Sequence, residues 1–205
     1  VSSMYKILAK VLTHRLKPAL SSIIGETQTA FIGGRNILDG VFIANEVVEG
    51  WKKTNKNGLI LKLDFEKAFD SVNWEFLFSL LSSFGFGNKW ISRMKTCVAT
   101  VRISILVNGA PTKEFSSQRG LRQGEQLSPF LFNIVAEVVN ILLVRAINLG
   151  SLRGVHVGSK DVLLSYLQFE DDSILFSEAD WDQMVLIKRI LRCFEVLSGL
   201  RINYH

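Results

Sequence analysis

The sequence predicts an α+β domain built around an antiparallel sheet. Three observations carry that expectation. Residues 59–65 alternate as a strand does and bring Asp64 to its end. Two later segments have hairpin form, one about Asn108-Gly109 and one about Glu170-Asp171. Around them run stretches with apolar residues at every third or fourth position, the period of an amphipathic helix.

The chain has 205 residues, 48% of them hydrophobic, with a mean hydropathy of +0.24. That is ample for one cored domain and too apolar for a disordered one. No run of 18 apolar residues occurs. The nearest candidate, 134–147, is interrupted by Glu137, Asn140 and Arg145, so no membrane association is expected. No charged-then-apolar signal sequence opens the chain. Cys97 and Cys193 both fall in apolar helical patterns and are expected as buried free thiols in a reducing compartment. The net charge is +5, and residues 1–60 hold eight Lys and Arg against four Asp and Glu. A basic front suits a phosphate backbone. Solvated basic helix faces account for it as well, so charge alone decides nothing.

The elements follow in order. Residues 5–20 read as an amphipathic helix with Pro18 near its end. Gly33-Gly34-Arg35 precedes a second helix, about 37–51, with Asn36 as its cap. A polar loop, 52–57, leads to the strand 59–65. Helical periodicity returns at Trp74, stops at Gly85, and resumes over about 89–99. The hairpin 103–116 follows, since Asn-Gly readily adopts the positive φ of such turns. Ser128 is placed as the cap and Pro129 as the opening of a long helix ending near Gly150. After the second hairpin, 163–176, Asp180 with Gln183 suggests a capping box for a last helix that Gly199 terminates. Ile202 belongs to a final strand. Nothing in the composition divides the chain into two domains.

Two acidic sites stand out. In the strand Leu61-Lys62-Leu63-Asp64-Phe65, alternation puts Leu61, Leu63 and Phe65 on one face and Lys62 and Asp64 on the other. Taken alone, Asp64 also reads as an ordinary strand-end residue starting a turn. The second site, Glu170-Asp171-Asp172, is harder to explain by turn preference. Like charges about 4 Å apart repel by roughly 4 kcal/mol at an effective dielectric near 20, so three adjacent acids between apolar strands call for a cation. Hard carboxylates suit Mg²⁺, and in two-metal phosphoryl transfer the ions sit about 3.5–4 Å apart. Asp64 and Asp171 are 107 residues apart in sequence. A sheet with the first strand beside the hairpin would unite them.

These residues resemble the reverse transcriptases of plant-type non-long-terminal-repeat (LINE-like) retrotransposons. Lys62-Leu-Asp-Phe-Glu-Lys-Ala-Phe-Asp-Ser-Val-Asn-Trp74 is similar to that family's motif A, Gly120-Leu-Arg-Gln-Gly-Glu-Gln-Leu-Ser-Pro129 to motif B, and Leu167-Gln-Phe-Glu-Asp-Asp172 to motif C. Thr29-Ala-Phe-Ile-Gly-Gly-Arg35 resembles the fingers motif, and Leu197-Ser-Gly-Leu-Arg-Ile-Asn203 the approach to motif D. The five occur in family order over nearly the whole chain.

The resemblance implies a right-hand polymerase fold without its thumb. Fingers helices would occupy about 1–58, and a palm with inserted fingers elements about 59–205. It implies an RNA-directed DNA polymerase that extends a DNA primer on an RNA template with deoxynucleoside triphosphates, inside the cell and at nuclear DNA. Asp64, Asp171 and the Phe65 carbonyl would hold two Mg²⁺ (or Mn²⁺), with Asp172 beside them. Phe69 would exclude a ribose 2′-hydroxyl; without motif A it reads as a core aromatic. Arg35 would contact the triphosphate, where a guanidinium binds phosphate in bidentate fashion. Gln123 and Gly124 would lie against nucleotide and template, although a helix-preceding turn explains the glycine equally well in isolation. Arg119 and Arg122 read as backbone-contacting or solvated. Three departures are evident: Glu170 where the family has an uncharged residue, Glu125-Gln126 where it has Asp-Pro, and chain ends that leave out the thumb and the endonuclease such elements carry. They favour a second reading, a catalytically inactive, degenerate fold acting only as a nucleic-acid- or protein-binding module.

Overall fold

The computed structural model describes residues 3–100, 102–158 and 162–203. The amphipathic N-terminal stretch forms helix α1 (Ser3–Ile23), which continues through Pro18 and does not stop there. Helix α2 (Ile37–Thr54) starts at Asn36 with a complete capping box, because Asn36 accepts from the Leu38 amide and Asp39 accepts from the Asn36 amide. Strand β1 (Gly58–Glu66) then runs into a single helical turn, α3 (Ala68–Ser71), followed by α4 (Trp74–Ser83) and α5 (Asn88–Ala99). The Asn108-Gly109 hairpin forms as expected, with φ of 50° and 82° at its turn. It is broken into two short ladders, β2 (Arg102–Ile103) with β5 (Phe115–Ser116), and β3 (Leu106–Val107) with β4 (Ala110–Pro111).

Helix α6 (Ser128–Asn148) has the length and hydropathy of a membrane span, yet most of it lies in the protein core. Its cap position is Leu127, with no side-chain cap, so Ser128 is already helical. Strands β6 (Val155–Val157) and β7 (Val162–Leu164) pair with each other, and the acidic hairpin starts and ends later than expected: β8 (Tyr166–Phe169) and β9 (Asp172–Glu178). Asp180 caps helix α7 (Trp181–Ser198), but Gln183 does not complete a capping box. Its amide instead accepts from the Arg153 N–H and donates to the Ser151 carbonyl. Gly199 closes α7 in the left-handed conformation, and β10 (Arg201–Asn203) finishes the chain.

The main sheet has the order β10-β1-β9-β8, antiparallel throughout. Alternation along β1 sends Leu61, Leu63 and Phe65 into the principal core beneath the sheet, where they join α4, α6 and α7. The opposite face is covered at one end only. There Phe176, Ile174 and Leu167 pack with Val47 and Trp51 of α2 and with the β6–β7 ladder. At the other end of that face Lys62, Asp64 and Asp172 stay exposed. Cys97 is buried as expected; Cys193 is exposed, because its position on α7 faces away from the sheet.

Candidate active site

Register places the acids. Antiparallel pairing of Leu63 with Ser173 and Phe169 with Asp172 sets Asp64 across from Asp172, one residue from Asp171. The Lys62 ammonium lies 3.0 Å from Asp172 Oδ1. Asp172 chiefly holds that ammonium above its ordinary pKa range, and Asp64 and Asp171 add to the effect. Asp64 is also fixed from β10, where Asn203 Nδ2 donates to its Oδ2 at 3.1 Å. Among the described residues, no three Asp, Glu, His or Cys side chains form a ready-made metal cage. The sheet brings Asp64 and Asp172 to one face, with Asp171 beside them in the turn, and Lys62 supplies positive charge there.

Glu170 forms the turn itself, in the left-handed region at φ 55°. Partial burial pushes its carboxyl pKa up, with repulsion from Asp171 and then Asp172 behind it. The turn is held from beneath. Gln168 Nε2 donates to the Glu170 carbonyl at 2.7 Å. The segment 27–29 lies along the free edge of β8, exchanging Thr29 N–H to Gln168 O and Gln168 N–H to Thr27 O. Such pairing also protects an otherwise open sheet edge. From this segment the buried Gln28 reaches inward. Its Oε1 accepts from the Ala30 amide at 2.8 Å, and its Nε2 donates to Asn133 Oδ1 at 3.3 Å. Asn133 Nδ2 in turn donates to the Ala30 carbonyl.

The remaining expected site residues are placed as follows. Phe69 is half-buried against Phe132, ring centroids 4.9 Å apart, at the edge of the core. Phe65 is buried between Phe132 and Phe194. Gln123 and Gly124 are exposed on the loop before α6. That loop is sewn to the segment after β1: Leu121 N–H donates to Phe69 O, Gly120 N–H to Val72 O, and Trp74 Nε1 to Gly120 O. Gly120 has φ 88°, and a Cβ there would stand 2.5 Å from the Asp70 carbonyl oxygen, so only glycine fits. Arg35 donates to the backbone carbonyls of Ile24, Gly25 and Gln28, bracing the turn after α1. Arg122 is partly exposed. It pairs with Glu125 and lies 4.4 Å over the Tyr5 ring, while Tyr5 Oη donates to Glu125 Oε2 at 2.7 Å. Glu125 thus ties its loop to α1.

Lys62, Gln28, Gln168 and Glu125 were not singled out as site builders by the sequence. A signal existed for the inner partner of Gln28, which is Asn133. With Glu137 and Asn140 it forms a polar stripe on a mostly apolar helix, and buried polar groups demand partners.

The reverse transcriptase (RNA-dependent DNA polymerase) family profile matches residues 1–205. The chain belongs to the reverse transcriptase family. It is 31% identical over 207 residues to a 149 kDa protein of transposon TX1 from Xenopus laevis, covering 100% of this chain and 15% of that protein. It is 28% identical over 203 residues to the Pol polyprotein of the type-2 retrotransposable element R2DM from Drosophila melanogaster, covering 98% of this chain and 18% of the relative. The chain thus spans under a fifth of the length of either relative. Both relatives are animal elements, and the narrower plant-type resemblance remains a reading of the motifs. Telomerase from Candida albicans has the same fold, with a TM-score of 0.69 at 13% identity over 95% of this chain and 33% of that one.

Proposed function

We propose that this reverse transcriptase domain forms the fingers (about 1–58) and palm (about 59–205) of an RNA-directed DNA polymerase that extends a primer 3′-hydroxyl. The observation that carries the reading is the register that sets Asp64 across from Asp172, beside Asp171, at the open end of the sheet, where the Lys62 ammonium lies 3.0 Å from Asp172 Oδ1. A site that already gathers a cation among hard carboxylates has the donor chemistry Mg²⁺ takes. Asp64, Asp171 and the Phe65 carbonyl, with Asp172 beside them, would hold two Mg²⁺, for which Mn²⁺ can substitute. When bound, the ions activate the attacking oxygen and neutralise charge on the departing pyrophosphate.

The chain's own residues do the rest. Asn203 orients the Asp64 carboxylate. Gln168 holds the turn that presents Asp171 and Asp172, and Gln28 fixes the segment that pairs with the edge strand beside it. Phe69, backed by Phe132, would stand against the sugar and disfavour a 2′-hydroxyl. Gln123 and Gly124 offer an exposed polar surface to nucleotide and template. The inactive binding module stays as the second reading, favoured by Glu170, whose charge adds to a turn that already carries two acids.

The test is single-nucleotide incorporation on an RNA-templated primer with Mg²⁺, for this chain and for a version extended through a thumb. Incorporation that Asp171→Asn abolishes supports the polymerase. RNA binding with no incorporation by either version supports the binding module.

A further inference from the structure

Two-ion chemistry at the carboxylates gives Lys62 no role, yet the sheet places it among them. It shares the sheet face of Asp64, two residues back along β1, because successive strand residues alternate between faces. The register sets it directly across from Ile174 and on the diagonal from Asp172, within reach of a long side chain. Its other neighbours on that face, Ile60 along β1 and Phe176 on β9, are apolar. Among the described residues of β1 and β9, the polar side chains adjoining it there are Asp64 and Asp172. The Nζ has taken one of them, lying 3.0 Å from Asp172 Oδ1, with the two side chains 69% and 66% exposed. An ion pair so open to water adds little to the stability of a fold, so the sheet does not need it. What the pair does is fill the position beside Asp172 with positive charge. Lysine suits that task, being a compact point charge on a flexible stem that can occupy a cation's place and leave it.

We propose that Lys62 is a positioning residue that serves as a removable counter-ion: its ammonium competes with a divalent ion for Asp172, and so sets the ion concentration at which the carboxylates load. With the ammonium in place, the charge of Asp172 is offset and its pull on a passing ion is weak. An ion carrying two positive charges, and gripped by Asp64 and Asp171 as well, displaces the ammonium, which swings out to water on its stem. The inference rests on the two-ion reading of the site and adds to it a residue that opposes loading. A lysine that merely propped the strand would act with the opposite sign. Its removal would loosen Asp172, scatter the ligands and weaken ion binding. Removal of a competitor strengthens it.

The experiment is titration of the whole chain with Mn²⁺ at low salt, the free ion being read from its electron paramagnetic resonance signal. Lys62→Met is expected to bind Mn²⁺ about 3- to 10-fold more tightly than wild type, from the worth of an exposed pair and the repulsion between an ammonium and a double charge. Lys62→Arg keeps the charge and shows no such gain. Asp172→Asn removes the group through which the lysine acts, so adding Lys62→Met to it changes affinity by less than about 2-fold, as expected when two side chains act as a coupled pair. Binding seen in Lys62→Met and not in wild type supports the proposal in its strongest form. If wild type binds Mn²⁺ and Lys62→Met binds it equally or more weakly, the counter-ion role is wrong while the two-ion reading stands. A gain that persists in full beside Asp172→Asn overturns it too, since Lys62 is then one charge in a general field. If neither wild type nor Lys62→Met binds Mn²⁺ at millimolar concentration, the two-ion reading and the counter-ion role fall together.

Discussion

Replacing Gln28 with leucine, close in size and without hydrogen-bonding atoms, tests how the acidic turn is held. Gln28 is 1% exposed, and its amide serves two buried partners, the Ala30 N–H at 2.8 Å and Asn133 Oδ1 at 3.3 Å. Its approach to the Glu170 carbonyl, at 3.5 Å, is too long to count for much. Leucine leaves the Ala30 N–H and the Asn133 oxygen without that partner in a site closed to water. An orphaned buried group costs about 1–3 kcal/mol, so two should cost roughly 2–4 kcal/mol once partial relaxation is allowed. At about 2–4 °C per kcal/mol for a domain of this size, the melting temperature should fall by roughly 4–16 °C. Thermal denaturation followed by circular dichroism reads this directly. The cost should be shared with Asn133: Asn133→Leu in the Gln28→Leu background should add less than it does alone, as for any contacting pair. A Gln28→Leu variant that melts within a degree of wild type would show that the network contributes nothing, and the account of the turn would fail with it.

Four further outcomes follow from the same geometry. Gly120→Ala should cost about 2–4 kcal/mol in urea denaturation, from left-handed strain plus overlap with the Asp70 carbonyl, whereas Gly109→Ala, at similar φ but with open space around it, should cost only about 1–2 kcal/mol; equal losses would show that the close approach does not matter. Burial raises the Glu137 carboxyl above its ordinary pKa. An acid raised in the folded state makes the unfolded chain the readier to ionise, so stability falls as pH rises through the ordinary carboxyl range and beyond to the raised value, and Glu137→Gln should flatten that fall in melts at acid and neutral pH. Tyr5→Phe, which loses a hydrogen bond to a carboxylate, should cost about 1.5–3 kcal/mol in the same denaturation, and an unchanged midpoint would mean that Glu125 does not anchor its loop. Glu170→Ala should raise any primer extension, since a unit charge about 6 Å from reacting phosphates is worth at most roughly 3 kcal/mol at an effective dielectric near 20, before salt and exposure reduce it; a loss of activity would show that Glu170 has another role.

Much of the sheet was legible because its signals are local. Alternation in 59–65 gave the face of β1, and Asn108-Gly109 gave its turn, since both depend on neighbours in sequence. Asp64 and the 170–172 acids could be nominated but not joined, because their meeting depends on the β1–β9 register, a contact across more than a hundred residues. Cap identity was less secure. Ser128 and Gln183 have the right chemistry for capping, yet the structure uses Gln183 to bind the loop at Ser151 and Arg153, where tertiary contacts outweigh local preference. Cys193 shows the limit of helical periodicity, which finds an apolar stripe without saying how wide it is. Arg35 and Arg122 were assigned from the affinity of arginine for phosphate, and sequence alone offers no view of the carbonyls and the tyrosine ring they also meet here.

The account turns on whether the carboxylates of β1 and the β8–β9 turn act together on metal. Electron paramagnetic resonance of Mn²⁺ titrated into the chain, with an RNA–DNA primer–template and a non-extendable deoxynucleotide present, measures that most directly. The account predicts two Mn²⁺ per chain, close enough to couple magnetically at about 3.5–4 Å, and loss of that coupling in both Asp64→Asn and Asp171→Asn. A single uncoupled ion, or binding that survives both substitutions, would contradict it.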